Sequence, residues 1–277
     1  GRRWVEGGGR GGPQAPWRAG GLAAAVLTAS TVLAGLAGLA VWSVAGFWRF
    51  PDALPQGFQG AVWQRASLGI ADAAAETAII GGAAMAIGLV LVLACLEAEH
   101  RHGLGRPGRA LWLLYLPLLV PQVGFLTGLQ ALALATGVDG GRWPVIAAHT
   151  VFVTPYIYLS LAEPWRAWDR RAGLAAAALG ASPDRVLWAV RVPMLLRPVM
   201  VAAAVGFAVS VGQYLPTLLI GGGRVATLTT EAVALAAGGE RRLIGVHALA
   251  QAAAPLLGFS LALAIPALAF RNRRALR

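Results

Sequence analysis

The sequence predicts an all-α, polytopic membrane protein with six transmembrane helices, and three observations carry that expectation. Of the 277 residues, 57% are hydrophobic and 13% charged, with a mean hydropathy of +0.65; a soluble domain carries nearer a quarter charged residues. Apolar runs of roughly 20 residues match a bilayer core, and six fall near 22–46, 69–94, 111–135, 145–162, 198–220 and 246–269. All 23 basic residues are arginine. With the N-terminus inside, 17 of them lie on inner segments and 6 on outer ones, the bias that orients membrane helices. Both termini are then expected to be cytoplasmic. The net charge of +11 is then topology and attraction to lipid. The arginines are spread over several segments instead of one stripe, which argues against nucleic-acid binding.

Taken in order, residues 1–21 form a Gly-, Arg- and Pro-rich leader, read as a flexible cytoplasmic tail or a truncated junction and not as a signal peptide. Residues 22–64 supply the first span and an outer segment, with Trp42, Phe47 and Trp48 as an interfacial belt. Residues 65–270 form the core, and 271–277 a basic cytoplasmic tail. The second span carries Asp72 and Glu76 on one helical face near the outer surface. That pair either guides a cationic solute inward or forms a rim salt bridge with Arg65. Cys95 reads as an inert thiol within an apolar core. Gly35 to Leu39 and Gly81 to Ala84 would let helix backbones approach closely. Pro117, Pro121 and Pro155 predict kinks in the third and fourth spans. Gln213 and Pro216 break the fifth.

Polar side chains inside lipid face the bundle interior or a water-filled route. Gln122, Gln213 and Tyr214 are the first candidates for a solute pathway, followed by His149, Thr154 and Tyr156, with Gln130 beside them. Hydrogen bonding between helices is the alternative for each. His149 suits a neighbouring helix better than a metal, and His100, His102 and His247 form no ligand set with it.

Between the fourth and fifth spans lies a polar elbow. Leu161 to Pro164 leaves the span, and Trp165 and Trp168 suit the membrane surface. Asp169 to Leu179 reads as a helix, with Arg170 and Arg171 near its start and a run of alanines behind them. Gly180 ends it in a left-handed conformation. Ser182 is an N-cap, Pro183 fits the first helical position, and Asp184 complements the new N-terminus. Arg185 to Val192 forms the second helix, and Pro193 stops it. Ala178, Leu179, Val186, Leu187 and Val190 need the ends of the spans or a partner to cover them.

The run Leu174-Ala175-Ala176-Ala177-Ala178-Leu179-Gly180-Ala181-Ser182-Pro183-Asp184-Arg185, followed by Val190-Arg191-Val192-Pro193, resembles the coupling loop of binding-protein-dependent ABC importer permeases. That family's loop reads Glu-Ala-Ala, three residues, Gly, nine residues, then apolar-x-apolar-Pro. Ala175, Ala176, Gly180 and Pro193 match, whereas Leu174 stands where the family usually has Glu. Gly206 to Ser210 with Gln213-Tyr214, and Gly222-Gly223-Arg224 with Thr227 to Ala232, are similar to the segments that follow the loop in the family. Within it the chain is most similar to permeases of thiamine-type uptake systems, and it also resembles the iron(III), sulfate and polyamine branches.

The resemblance implies a type I importer fold in a bacterial inner membrane and a division of labour. A second permease subunit or fused half completes the pathway. Two cytoplasmic ATPase subunits receive the elbow at Ala175, Ala176, Ala178 to Arg185, Val190 and Pro193, and an extracytoplasmic solute-binding protein delivers the solute. The chain itself needs no cofactor; ATP and magnesium belong to the partner ATPase. A Gly-x-x-x-x-Gly-Lys-Ser/Thr phosphate loop is impossible in a sequence without lysine, so no enzymatic activity is expected here. A secondary transporter would need an ion-coupling site and commonly an inverted repeat, a membrane enzyme a cluster of catalytic side chains, and a scaffold no functional elbow.

Overall fold

The computed structural model describes residues 15–48, 51–104, 108–138 and 140–271. Its helices are α1 (Ala15–Val44), α2 (Ala61–Arg101), α3 (Gly108–Leu119), α4 (Gln122–Ala135), α5 (Arg142–Arg166), α6 (Arg170–Ala178), α7 (Pro183–Val186), α8 (Val192–Met194), α9 (Leu196–Val211), α10 (Tyr214–Gly221), α11 (Leu228–Gly238) and α12 (Arg241–Ala269). A π-helical turn, Leu187–Arg191, joins α7 to α8. Four helices are long and apolar enough to cross a membrane, and two bent pairs bring the number to six. The all-α polytopic architecture is the one expected.

The frame is the pair α2 and α5. Residues 77–96 of α2 and 143–162 of α5 carry no charge. Just outside these stretches the helices are clamped twice. Arg142 donates to both carboxylate oxygens of Glu76, at 2.8 and 2.6 Å, and Arg166 holds Glu99 at 2.8 Å. The two clamps make the helices parallel. They stand 23 residues apart on α2 and 24 on α5, about 35 Å at 1.5 Å per residue, slightly more than the ~30 Å of a hydrocarbon core. Ionic groups thus sit at the two edges of the apolar slab, where water can reach them.

Between the clamps the packing depends on small residues. A Cβ at Gly206 of α9 would lie 2.7 Å from Ile157 Cδ1 of α5, and one at Gly81 of α2 would lie 3.0 Å from the Phe207 ring. At the crossing of α1 and α12, a Cβ on Gly245 would meet the Leu39 carbonyl oxygen at 2.7 Å. The close approach of backbones expected at Gly81 and Gly82 is not what they make: Gly81 leaves room for the Phe207 side chain, and Gly82 faces open space. Gly35 and Gly38 also face open space, because α1 touches the bundle only near its end. Trp42 and Trp48 stack there at 4.3 Å, and Arg241 covers the Trp42 ring at 5.2 Å.

Several boundaries differ from expectation for physical reasons. Helix α1 is described from Ala15 onward, so the last part of the leader is helical; residues 1–14 and 272–277 lie outside the described residues. Helix α2 extends well beyond 69–94, since charged residues do not stop a helix once it has left lipid. The third span turns a corner of 105° between α3 and α4, where Pro121 removes a backbone donor; a kink understates it. Pro155 and Pro164 lie inside α5 without ending it. Trp165 and Trp168 are buried instead of lying at the surface, because both enclose Arg191. Cys95 is exposed: Val92 and Leu96, one turn apart, take the inward positions.

Candidate functional site

The elbow is assembled from local signals that each do what their residue type dictates. The Asp169 carboxylate accepts the Arg171 amide at 3.0 Å and starts α6. At the other end Gly180 has φ +85°. Its amide donates to the Ala177 carbonyl at 2.9 Å, while the Ala181 amide reaches back to Ala176 at 3.1 Å. This pair of bonds is the Schellman closure of a helix on a left-handed residue. The Ser182 hydroxyl then accepts the Arg185 amide at 3.3 Å, with Pro183 at the first helical turn and Asp184 beside it.

The second elbow helix departs from expectation. Pro193 does not end it: α7 opens into the π turn and continues as α8 to a bend at Leu195. Proline cannot donate to the ladder, and the wider turn accommodates that loss. It also rotates Arg191 inward, to 3% exposure, and leaves Trp188 outward at 65%. Arg191 Nη1 donates to Glu97 at 2.8 Å and Nη2 to the Trp165 carbonyl at 3.0 Å. Its guanidinium lies 4.4 Å from the Trp165 ring centroid and 4.9 Å from that of Trp168. Burial pushes the Arg191 guanidinium below its usual value, and Glu97 opposes that shift. Sequence reasoning missed this residue. The available signal was an arginine at the variable position of the apolar-x-apolar-Pro ending, where a solvent-facing side chain would need no tryptophans nearby.

The apolar residues of the elbow divide into two groups. Val186, Leu187 and Val190 pack on the core formed by Leu96, Trp165, Trp168 and Leu195. Leu174 and Leu179, by contrast, are 70% and 89% exposed. Ala175, Ala178, Gly180, Ser182, Pro183, Asp184 and Arg185 are exposed as well, and Ala176, Ala181, Val190 and Pro193 are half-buried. The first elbow helix therefore offers an uncovered apolar face outside the charge-free slab.

Inside the slab the structure brings together two of the expected pathway residues and adds two others. His149 of α5 meets Ser210 Oγ of α9 through Nδ1 at 2.7 Å, and Thr217 Oγ1 of α10 through Nε2 at 2.9 Å. The Thr217 hydroxyl proton is committed to the Gln213 carbonyl at 2.7 Å, so Thr217 must accept from His149. His149 therefore carries its proton on Nε2, and Ser210 donates to Nδ1. This directional chain crosses the break between α9 and α10 at Gly212-Gln213. Thr229 donates to the Val211 carbonyl on the same joint, and the buried Gln213 Oε1 has no partner among the described residues. Gln122, Thr154, Tyr156 and Tyr214 do not join the cluster. Thr154 bonds back to Thr150, Tyr156 is exposed, and Gln122 and Tyr214 are half-buried at the starts of α4 and α10.

At the far end a cleft of about 550 Å³ is lined by Asp72, Glu76, Arg142, Arg224 and Glu231 among others. The rim salt bridge exists, but its cation is Arg142. Arg65 instead bonds within its own helix to Ala61, because one turn of α2 separates it from neither Asp72 nor Glu76.

Comparison with known proteins fits this arrangement. Residues 84–271 match the family described as the binding-protein-dependent transport system inner membrane component. The inner membrane ABC transporter permease protein YnjC of Escherichia coli is 41% identical over 182 residues, which cover 66% of this chain and 34% of that protein. The molybdenum transport system permease protein ModB of Mycobacterium bovis is 33% identical, over 57% of this chain and 61% of the relative. For the putrescine transport system permease protein PotI of Escherichia coli the identity is 30%, over 58% and 57%. The match spans about a third to three fifths of the length of these relatives.

Proposed function

Because the chain belongs to the family of binding-protein-dependent transport system inner membrane components, we propose that it is the transmembrane permease subunit of an ATP-driven importer. It is a multi-pass inner-membrane protein of the type I ABC importer permease fold. In this reading it forms half of a solute pathway with a second permease subunit or fused half. It couples through residues 169–193 to two separate ATPase subunits that bind ATP and magnesium, and it receives solute from an extracytoplasmic binding protein. The elbow lies on the cytoplasmic side.

One observation carries the reading: a Schellman-closed helix-turn-helix, held to the spans by its second helix, presents Leu174 and Leu179 uncovered on its first. Uncovered apolar side chains outside the lipid mark a surface for docking another protein. A coupling loop requires one.

The solute is proposed to be a small cation of the thiamine or polyamine kind. The support is the far-end cleft, where Asp72, Glu76 and Glu231 face Arg142 and Arg224. The relatives' names do not agree on a solute, since one is named for putrescine and another for molybdenum, and none of those given above is named for thiamine.

The test is purification of the intact complex from native membranes, followed by mass spectrometry of its subunits and of any small molecule retained. Two ATPase copies per assembly are expected. Recovery of the chain without an ATPase, under conditions that keep other importers intact, would overturn the reading. A retained anionic solute would overturn the cation assignment alone.

A further inference from the structure

The second elbow helix is fastened to α2 at both of its ends. At its start Asp184 pairs with Arg101 at 2.7 Å, and Arg101 also holds Glu97 at 2.8 Å. At its end Arg191 takes the other oxygen of Glu97, again at 2.8 Å. Glu97 is thus the junction of two arginines, one from its own helix and one from the elbow. Arg191 reaches further, to the Trp165 carbonyl of α5, and α5 is clamped to α2 by Arg166 and Glu99 a few residues away. No ion pair joins α6 to a span among the described residues, so the first elbow helix touches this network only through packing, as where a Cβ on Gly173 would meet the Trp168 ring at 2.8 Å.

We propose that Arg191 is the positioning residue that makes the second elbow helix, α2 and α5 a single lever. Displacement of the first elbow helix by the ATPase then moves α2 and α5 together instead of bending the loop. The inference rests on the permease reading for the source of the displacement.

Stability alone gives a poor account of Arg191. Its Nε and the Trp165 Nε1 are both buried without partners among the described residues, each an uncompensated desolvation cost. Replacing a buried ion pair with well-packed apolar groups is often neutral or stabilising. A methionine between two tryptophan faces would fill the space that Arg191 occupies. What it would not do is fix the direction of the elbow, because a guanidinium fork specifies geometry at two acceptors at once and a thioether specifies none. Arg191 is therefore suited to orientation more than to holding the fold together.

The experiment uses the complex purified with its ATPase. Cys95, the only cysteine in the chain, and an Ala189→Cys substitution at an exposed position of the π turn carry spin labels. The labelled parent should give one narrow distance distribution that ATP with vanadate leaves unchanged. Arg191→Met combined with Glu97→Gln avoids stranding a charge. It should keep the parent's melting temperature, yet give a distribution at least twice as broad that shifts with nucleotide. Arg191→Lys, which retains the charge but presents it as a single rotatable point without the rigid fork, should fall between. If the double variant fails to fold, Glu97→Gln alone is judged by the same criterion. A variant distribution as narrow as the parent's, or a parent distribution that itself shifts with nucleotide, would overturn the proposal. Absence of an accompanying ATPase would count against the permease reading instead, and the nucleotide-free widths would still decide whether Arg191 pins the elbow.

Discussion

Replacing Gly180 separates backbone strain from crowding, because the structure allows only the first. Gly180 has φ +85°, and a Cβ built on it would meet nothing within 4 Å. An L-residue in the left-handed region costs roughly 1–2 kcal/mol; asparagine tolerates the region best, and a β-branched residue is an outlier there. Gly180→Asn should therefore be nearly neutral, Gly180→Ala should cost about 1–2 kcal/mol, and Gly180→Val should cost more. The Gly180 and Ala181 amides, bonded to Ala177 and Ala176, report the cost directly. Their hydrogen exchange follows local opening, and each ~1.4 kcal/mol is tenfold in that equilibrium. Exchange at Ala181 should rise about 5- to 30-fold in the alanine variant on that scale and further in the valine variant. ATPase retention on purification should fall in the same order, while exchange in α2 and α5 stays unchanged. An order that follows side-chain size, with asparagine worse than alanine, would refute the strain argument. A valine variant with parental exchange would refute the cap itself.

The other predictions use the remaining contacts. A double-mutant cycle on thermal stability between Glu76→Gln and Arg142→Met should show coupling that fades with salt, and one between Glu76→Gln and Arg65→Ala should show none. Thr217→Val leaves the His149 Nε2 proton buried without an acceptor and should lower stability by about 1–3 kcal/mol, with Thr217→Ser restoring it; a neutral valine variant would contradict the assigned tautomer. Burial first, and Arg191 second, hold the His100 pKa below 6.5. The folded state then binds fewer protons than the unfolded state just below pH 6.5, so its stabilising share is present above that pH and lost as the pH falls. Melting curves of the parent and His100→Gln should diverge on acidification from pH 7 and not above it. Leu174→Ser with Leu179→Ser should release the ATPase, whereas 1 M salt, which screens beyond ~3 Å, should not release it from the parent.

Legibility of the fold in the sequence followed the physics that set each element. Apolar length fixed the spans, and glycine, serine, proline and aspartate fixed the turn of the elbow to the residue, because those signals are local. Helix ends beyond the lipid were less legible. Nothing in Gln64-Arg65 or Glu97-Ala98-Glu99 says whether a helix continues past the apolar slab, and the clamps that stabilise α2 there lie some 66 or more residues away in sequence. The same distance hid the partner of Glu76: Arg65 was near in sequence, Arg142 in space. Arg191 was read as one more inner-side positive charge, since its burial depends on a π turn and two tryptophans brought in by α5. His149 and Gln213 stand out in the sequence as polar residues within apolar runs, whereas Ser210 and Thr217 give no such signal.

These contacts also indicate where the bundle can move. Separating α2 from α5 would break ion pairs at both edges of the apolar slab. Separating α2 from the second elbow helix would break the pairs Arg191–Glu97 and Arg101–Asp184, and separating α5 from it would break the Arg191 bond to the Trp165 carbonyl. Within the slab, by contrast, the polar contacts of α5 with α9 and α10 are neutral hydrogen bonds: Ser210 to His149, His149 to Thr217 and Gln213 to the His149 carbonyl. Such bonds contribute only about 0.5–1.5 kcal/mol each on balance, and hydroxyls can turn to new partners without moving the backbone. The helix is already broken at Gly212-Gln213, and the Gln213 Oε1 beside it accepts no hydrogen bond among the described residues. A charged frame that resists separation and a neutral joint that can exchange partners are different mechanical elements. If α2, α5 and the elbow move as a lever, the relative motion must be taken up where the bonds are neutral, at the faces that α9 and α10 present to α5. The bend at Leu195, where α9 leaves the elbow at 76°, lies at the end of α9 opposite that joint. Helix α9 therefore has a pivot at each end, and Gly206, against which Ile157 packs with no room for a Cβ, lies between them.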